Sequence, residues 1–339
     1  MSDRRDPVEA HEEREVDLYE ISTWEVRTAF DRLSAGLYAT FVHLARLSLV
    51  LLGLVILVAQ LVFGAFVSVP VGVFTVLSVI PALILAGYLR YADVTTSEPL
   101  SLLAATFILA VLFAGFAGVL NTLSDSVLTS LGLTAGALGF VVQVGTFFIV
   151  VGPVEETVKL LAVRLYAFHS SRFDAVVDGI VYGAVAGLGF ATIENAIYIG
   201  GATREVADPL NLVVTGGAIT SVRALAGPGH VIYSAFAGYY LGLAKFNPQR
   251  AGPIVVKGLL IAALIHAVYN SLAGVVPSLA GEFLGIPWFA AFLSFVVVYD
   301  GLLLVVLFRK LARYRRAYDR AHDNGLDDGH PVKFTEFDA

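Results

Sequence analysis

The sequence predicts an all-α fold, a polytopic transmembrane helical bundle of about eight spans, with a short N-terminal amphipathic helix before it. Three observations carry this. Of 339 residues, 57% are hydrophobic and 15% charged, where a soluble domain carries about 25% charged residues. The mean hydropathy is +0.79. Apolar runs of about 20 residues, the length that crosses hydrocarbon, recur between residues 47 and 308. The absence of cysteine excludes disulfides, Cys-ligated zinc and a thiol nucleophile. Acidic residues outnumber basic ones, 28 to 22, and no basic patch with interleaved aromatics occurs, so the expected surroundings are lipid rather than nucleic acid.

Residues 1–45 read as a cytoplasmic tail and an interfacial helix. The first 20 are polar and lack the apolar core of a cleavable signal peptide. Ser22-Thr23-Trp24-Glu25 fits a capping box. In the helix it opens, Trp24, Val26, Phe30 and Leu33 oppose Arg27, Asp31 and Arg32, as suits a membrane surface. Residues 46–310 form the transmembrane domain, and 311–339 a C-terminal cytoplasmic tail. The expected spans are 47–67, 71–91, 100–120, 133–151, 176–199, 212–243 counted once, 254–276 and 288–308. Gly152-Pro153 is expected to interrupt the fourth, ahead of a helix carrying Glu155. Gly227-Pro228-Gly229 is expected to break the sixth, leaving 212–225 as a re-entrant or interfacial piece. Glycines and alanines crowd 176–199, which suits close helix packing. Arg46, Arg90, Arg164, Arg172, Lys245 and Arg309 sit at one set of span ends, whereas the loops at 121–130 and 277–282 have no Lys or Arg. That asymmetry predicts a multi-pass protein of the cell membrane with both termini cytoplasmic.

Against this background the ionisable residues inside the spans are conspicuous, because a charge at bilayer depth costs roughly 2.5–3.5 kcal/mol on insertion scales and so marks a site by default. Glu155, Glu156 and Lys159 lie within five residues, and on a helix Lys159 can reach either carboxylate. Glu194-Asn195 interrupts the small-residue span, with Phe190 one turn before. Arg223 can neutralise a carboxylate or snorkel to the interface. His230 follows Gly-Pro-Gly, and His266 and Asn270 are four apart; each is also explained as a packing donor between helices. Asp178 reads as the cap of its span and Asp300 as a structural carboxylate paired with an interior donor. Together these supply carboxylates, imidazoles and an amide from separate segments, a set able to activate water. Two neighbouring carboxylates in low dielectric do not both ionise readily, so one can serve as base and the other as acid. Two His and one Glu equally form the donor set of a catalytic zinc. The sequence has no His-Glu-x-x-His, no Gly-x-Ser-x-Gly and no Gly-x-Gly-Asp.

Glu155-Glu156-x-x-Lys159, Phe190-x-x-x-Glu194-Asn195, His230 and His266-x-x-x-Asn270, in this order and in separate spans, resemble the PrsW family of intramembrane proteases. That family lies within the CAAX-protease and bacteriocin-processing superfamily. The run Asp178-Gly179-Ile180-Val181-Tyr182-Gly183 and Arg223 upstream of His230 are similar to it too, and the resemblance covers residues 150–275. It implies an endopeptidase acting on a membrane-anchored protein substrate through a Glu- and His-activated water, with regulatory proteolysis of an anti-sigma-like or other signalling protein as the setting. It implies that Glu155, Glu156, Glu194, His230, His266 and Asn270 are catalytic, supported by Lys159, Asn195, Arg223 and Phe190. It leaves two cofactor states open: one divalent metal, zinc first, on His230, His266 and Glu194, or a glutamate mechanism without metal. A non-proteolytic membrane scaffold and a proton or ion transporter are the other classes that the residues fit.

Overall fold

A computed structural model describes residues 19, 25–62, 69–93, 95 and 97–327. The polar tail up to residue 18, residues 22–24 of the expected capping box and the end of the C-terminal tail lie outside the described residues. The helices are α1 (Ala29–Val62), α2 (Val69–Tyr91), α3 (Leu100–Ser130), α4 (Gly136–Thr146), a π-helical turn (Phe147–Val151), α5 (Gly152–Leu165), α6 (Asp178–Thr203), α7 (Pro209–Lys245), α8 (Ala251–Leu284) and α9 (Trp288–Asp327). Among the described residues, eight helical segments are long and apolar enough to cross a membrane. The chain divides into two units, residues 1–52 and 53–339.

In the first unit a reciprocal cap opens α1, at Thr28 and Asp31. Thr28 Oγ1 accepts from the Asp31 amide at 3.1 Å, and the Asp31 carboxylate accepts from the Thr28 amide at 2.6 Å. The Tyr19 hydroxyl donates to the same carboxylate. From there the helix runs unbroken to Val62, and its residues 29–58 are long and apolar enough to cross a membrane. No proline interrupts them, and their exposed Phe30, Leu37 and Phe41 extend the apolar surface.

The second unit contains the remaining helices, and several expected breaks are absent from it. Residues 121–130 are the last turns of α3: the hydroxyls of Thr122, Ser126 and Ser130 return to carbonyls three or four residues back, so this polar stretch satisfies itself as helix. Residues 277–282 likewise belong to α8, which ends at Gly285 in the left-handed conformation. Asp208 caps α7 by accepting from the Asn211 amide at 2.8 Å, and Pro209 occupies the first turn. The helix then passes through Pro228 without a break, for 37 residues. In the preceding turn Asn195 Nδ2 donates to the Arg223 carbonyl at 3.5 Å; in transmembrane helices neighbouring helices and local adjustment let a proline stay within the helix. Gly-Pro-Gly reads as a break because proline usually ends a helix in water.

The centre of this unit is the pair α6 and α7. α6 is buried along most of its length. Gly179, Gly183 and Gly187 repeat every four residues and face Gly242, Gly238, Ser234 and His230 of the antiparallel α7. A Cβ at Gly238 would overlap the Gly179 carbonyl oxygen, and one at Gly187 would overlap that of His230. The backbones therefore touch, as the small residues of 176–199 predict. Around the pair pack Ala82, Ala86 and Leu89 of α2, Tyr269 of α8 and Phe292, Val296 and Leu307 of α9.

Valine at Gly183 or Gly238 should separate α6 from α7 and abolish the monodisperse peak in detergent size-exclusion chromatography. Alanine at Gly217, which has open space around its Cα, should leave the peak unchanged.

Candidate active site

The double glutamate is placed by the irregular start of α5. Pro153 has no amide hydrogen to give to a carbonyl four residues back. Instead of breaking, the chain widens into the π turn at Phe147–Val151, and the Gly152 amide bonds to the Phe147 carbonyl five residues back. Gly152 also lies against α8: a Cβ there would stand 2.7 Å from the Ala263 carbonyl oxygen. This contact falls three residues before His266, so α5 delivers Glu155 and Glu156 beside that ring.

Glu156 and Lys159 have no exposed surface in their side chains. Lys159 Nζ lies 2.6 Å from Glu156 Oε1, 4.0 Å from Glu155 Oε2 and 3.0 Å from His230 Nδ1, with the Phe190 ring 4.3 Å away under the ammonium. Glu156 also meets His266 Nδ1 at 3.0 Å and accepts from Ser234 Oγ at 3.3 Å. Glu194 receives Arg223 Nη2 at 2.5 Å and His230 Nε2 at 2.7 Å. Arg223 Nε donates to Asn195 Oδ1 at 2.8 Å, and Asn195 Nδ2 donates to Ser78 Oγ at 2.9 Å. Glu155 differs from the other two carboxylates. Its Oε1 accepts from Asn121 Nδ2 at 3.0 Å, but its buried Oε2 has no hydrogen-bond partner and stands 3.7 Å from His266 Nε2. The two imidazoles meet edge to face, centroids 5.1 Å apart.

The partners assign the tautomers. An ammonium at His230 Nδ1 leaves that nitrogen an acceptor, so in the neutral ring the proton is on Nε2, toward Glu194. A carboxylate at His266 Nδ1 holds the proton there, so the His266 Nε2 lone pair faces Glu155. The two histidines thus offer one donor and one acceptor to the same space.

The structure brings together Glu155, Glu156, Lys159, Phe190, Glu194, Asn195, Arg223, His230 and His266. Asn270, half-buried one turn beyond His266, makes no hydrogen bond to any of them. Arg223 is bonded to Glu194 and Asn195 rather than snorkelling. Asp300 is buried but stands apart, without the interior donor expected for it. Asn121 is absent from the residues that the sequence singles out, and Ser234 enters there only as the polar neighbour of His230. Asn121 falls in what reads as a loop, and its signal is only that no helix breaker follows until Gly132. Ser234, one turn after His230, is a small polar residue among many.

The model of the PrsW family intramembrane metalloproteases matches residues 98–302. The chain belongs to the PrsW family. Among curated relatives, a PrsW protease of Clostridioides difficile (strain 630) is 31% identical over 57% of this chain and 76% of its own length. One of Geobacillus kaustophilus (strain HTA426) is 29% identical over the same shares. One of Bacillus subtilis (strain 168) is 33% identical over 37% of this chain and 54% of its own. No solved structure matches the chain. This PrsW member is therefore an intramembrane peptidase and a multi-pass membrane protein.

The family's description implies a metal, and the residues present fit one. Glu155, His230 and His266 each offer a ligand atom, all within 4.8 Å of one another. Two imidazoles and a carboxylate are the donors of catalytic metal sites with an open position, and Glu155 Oε2 is a buried oxygen still lacking a partner. Glu155 stands in this cluster where the sequence puts Glu194.

Because Lys159 has no water to turn to, removing its partner is costly. Glu156→Gln should destabilise the purified protein by about 3–5 kcal/mol, the range for breaking a buried ion pair. Glu155→Gln should cost far less, since its Oε2 has no bond to lose. Thermal unfolding in detergent ranks the two, and equal stability would show that Glu156 does not hold the lysine.

Proposed function

We propose that the chain hydrolyses a peptide bond in a membrane-anchored protein substrate, with Glu155 as the base that takes the proton of the attacking water. The observation that carries this is the free Oε2 of Glu155. Of the three carboxylates it alone keeps an unbonded buried oxygen, beside the lone pair of His266 Nε2. Glu156 is occupied by Lys159, His266 and Ser234, and it orients His266. Glu194, fixed by Arg223, orients His230.

In this reading the water sits between Glu155 Oε2 and His266 Nε2 and attacks the scissile carbonyl carbon as its proton passes to Glu155. The negative charge that develops on the carbonyl oxygen is met by the His230 Nε2 proton, with Asn270 as a further donor on the same side. The proton held on Glu155 then goes to the leaving amine as the C–N bond breaks. A divalent metal on Glu155, His230 and His266, zinc first by its donor set, would require His230 to give up its Nε2 proton and would supply a Lewis acid for the carbonyl oxygen in place of that proton. The family resemblance supports a signalling protein, of the anti-sigma kind, as substrate. The distribution of Arg and Lys supports cytoplasmic termini.

Two measurements test this. Co-expressed with a panel of single-span substrates, Glu155→Gln should lower cleavage on the order of 10²–10⁴-fold, the usual contribution of a general base, with products mapped by mass spectrometry. Cleavage equal to wild type removes Glu155 from the base role. Elemental analysis of the purified protein should find one zinc per chain, lost in His266→Ala; zinc retained by that variant would place the metal elsewhere.

A further inference from the structure

At the other end of α6 from Glu194, three more carboxylates converge. Asp93 and Glu98, from the connection between α2 and α3, and Asp178, in the first turn of α6, each present an oxygen within 4.8 Å of the other two. Glu98 and Asp178 have at most 1% of their surface exposed. Neither oxygen of Glu98 accepts a hydrogen bond, and neither does Asp93 Oδ2. The cations nearby are engaged elsewhere or poorly placed. Arg90 gives Nη2 to the Glu98 carbonyl at 3.1 Å, while its Nε, itself without a partner, stays 3.9 Å from Glu98 Oε2. Lys245 Nζ is directed at the carbonyls of Phe168, Ser170 and Phe173. A second buried group points the same way: the Tyr182 hydroxyl, one turn after Asp178, makes no hydrogen bond, and it interacts electrostatically with all three carboxylates.

Three carboxylates packed this closely repel one another unless something between them carries positive charge. Thr95 adds a fourth oxygen, its hydroxyl lying 2.8 Å from Asp93 Oδ1 and 3.2 Å from Asp178 Oδ1. The donors are all oxygen, which suits hard cations such as Ca²⁺ and Mg²⁺ and disfavours zinc and other soft metals. An approach exists as well. Asp93 lines an open cavity of about 650 Å³, shared with Tyr88, Leu311, Arg315 and Asp319.

We propose that Asp93, Glu98 and Asp178, with Thr95, form a binding site for a hard divalent cation, separate from the active site. Bound there, the cation ties the α2–α3 connection to the start of α6. α6 carries Phe190, Glu194 and Asn195 further along, so occupancy stabilises the helix on which that side of the active site is built.

The test uses the full-length protein, purified in detergent, stripped with a chelator and then given Ca²⁺, Mg²⁺ or Mn²⁺ in separate arms. At least one cation should raise the unfolding temperature of wild type by several degrees, as a ligand of the folded state does. The rise should persist in His266→Ala, where the active-site donors are incomplete, and vanish in both Glu98→Gln and Asp93→Asn. Without added cation, Glu98→Gln should unfold at or above the wild-type temperature, because it replaces a buried carboxyl whose oxygens accept no hydrogen bond. Four results would overturn the proposal: no rise in wild type with any of the three, a rise kept by Asp93→Asn or Glu98→Gln, a rise lost in His266→Ala, or a cation-free Glu98→Gln that unfolds below wild type, which would make Glu98 a structural partner of Arg90.

Discussion

An ammonium ion sealed inside a membrane protein has to be neutralised by its immediate neighbours, and Lys159 sets this condition for the whole site. Its side chain has no exposed surface. Removing a charge of this size from water costs several kcal/mol even after the protein relaxes. Glu156, the His230 ring and the face of Phe190 meet that cost from three different helices. Each partner is thereby fixed in turn. Glu156, held by the lysine, holds His266; His230, held through Nδ1, directs Nε2 at Glu194; and Glu194 requires Arg223. Glu155 is left at the edge of this closed set, close enough to feel the ammonium and not bonded to it.

A network of this kind needs helices closer together than ordinary side chains allow. In lipid no hydrophobic force draws one apolar helix to another, so packing and polar contacts carry association. The glycines facing across α6 and α7, and Gly152 against α8, let backbones meet while the long polar side chains reach inward between them. Small residues and charged residues are two halves of one arrangement: the first set the spacing, the second use it.

Much of this is legible in the sequence. A charge in an apolar run is expensive wherever it occurs, so Glu155, Glu156, Lys159, Glu194, Arg223, His230 and His266 stand out before any fold is known. The small-residue repeat of 176–199 announces a close contact. The breaks are harder to place, because the usual signals describe chains in water. Pro153 and Pro228 read as interruptions, yet the first is absorbed by a wider turn and the second lies inside the uninterrupted α7. Thr122, Ser126 and Ser130 read as loop, yet their hydroxyls fold back on the helix. Asn121 is lost with them, since a polar residue at the end of an apolar run is ambiguous until the helix is seen to continue. Which carboxylate keeps a free oxygen depends on helix rotation, which spacing alone does not determine.

The π-helical turn before α5 has a consequence for how this chain tolerates change in length. Five residues there cover what an α-helix covers in about four, so the run from α4 into α5 carries one residue more than a regular helix needs. Each residue of an α-helix advances the facing direction by about 100°. Deleting any one residue between 147 and 151 would let the segment relax into regular helix, with α4 and α5 both still helical and still apolar. Four residues of regular helix cover the same arc as the five of the wide turn, so the two halves would stay in phase and the double glutamate would keep its direction toward His266. A one-residue deletion in α5 ahead of Glu155, with no wide turn to absorb it, would instead swing the double glutamate by about 100° away from His266.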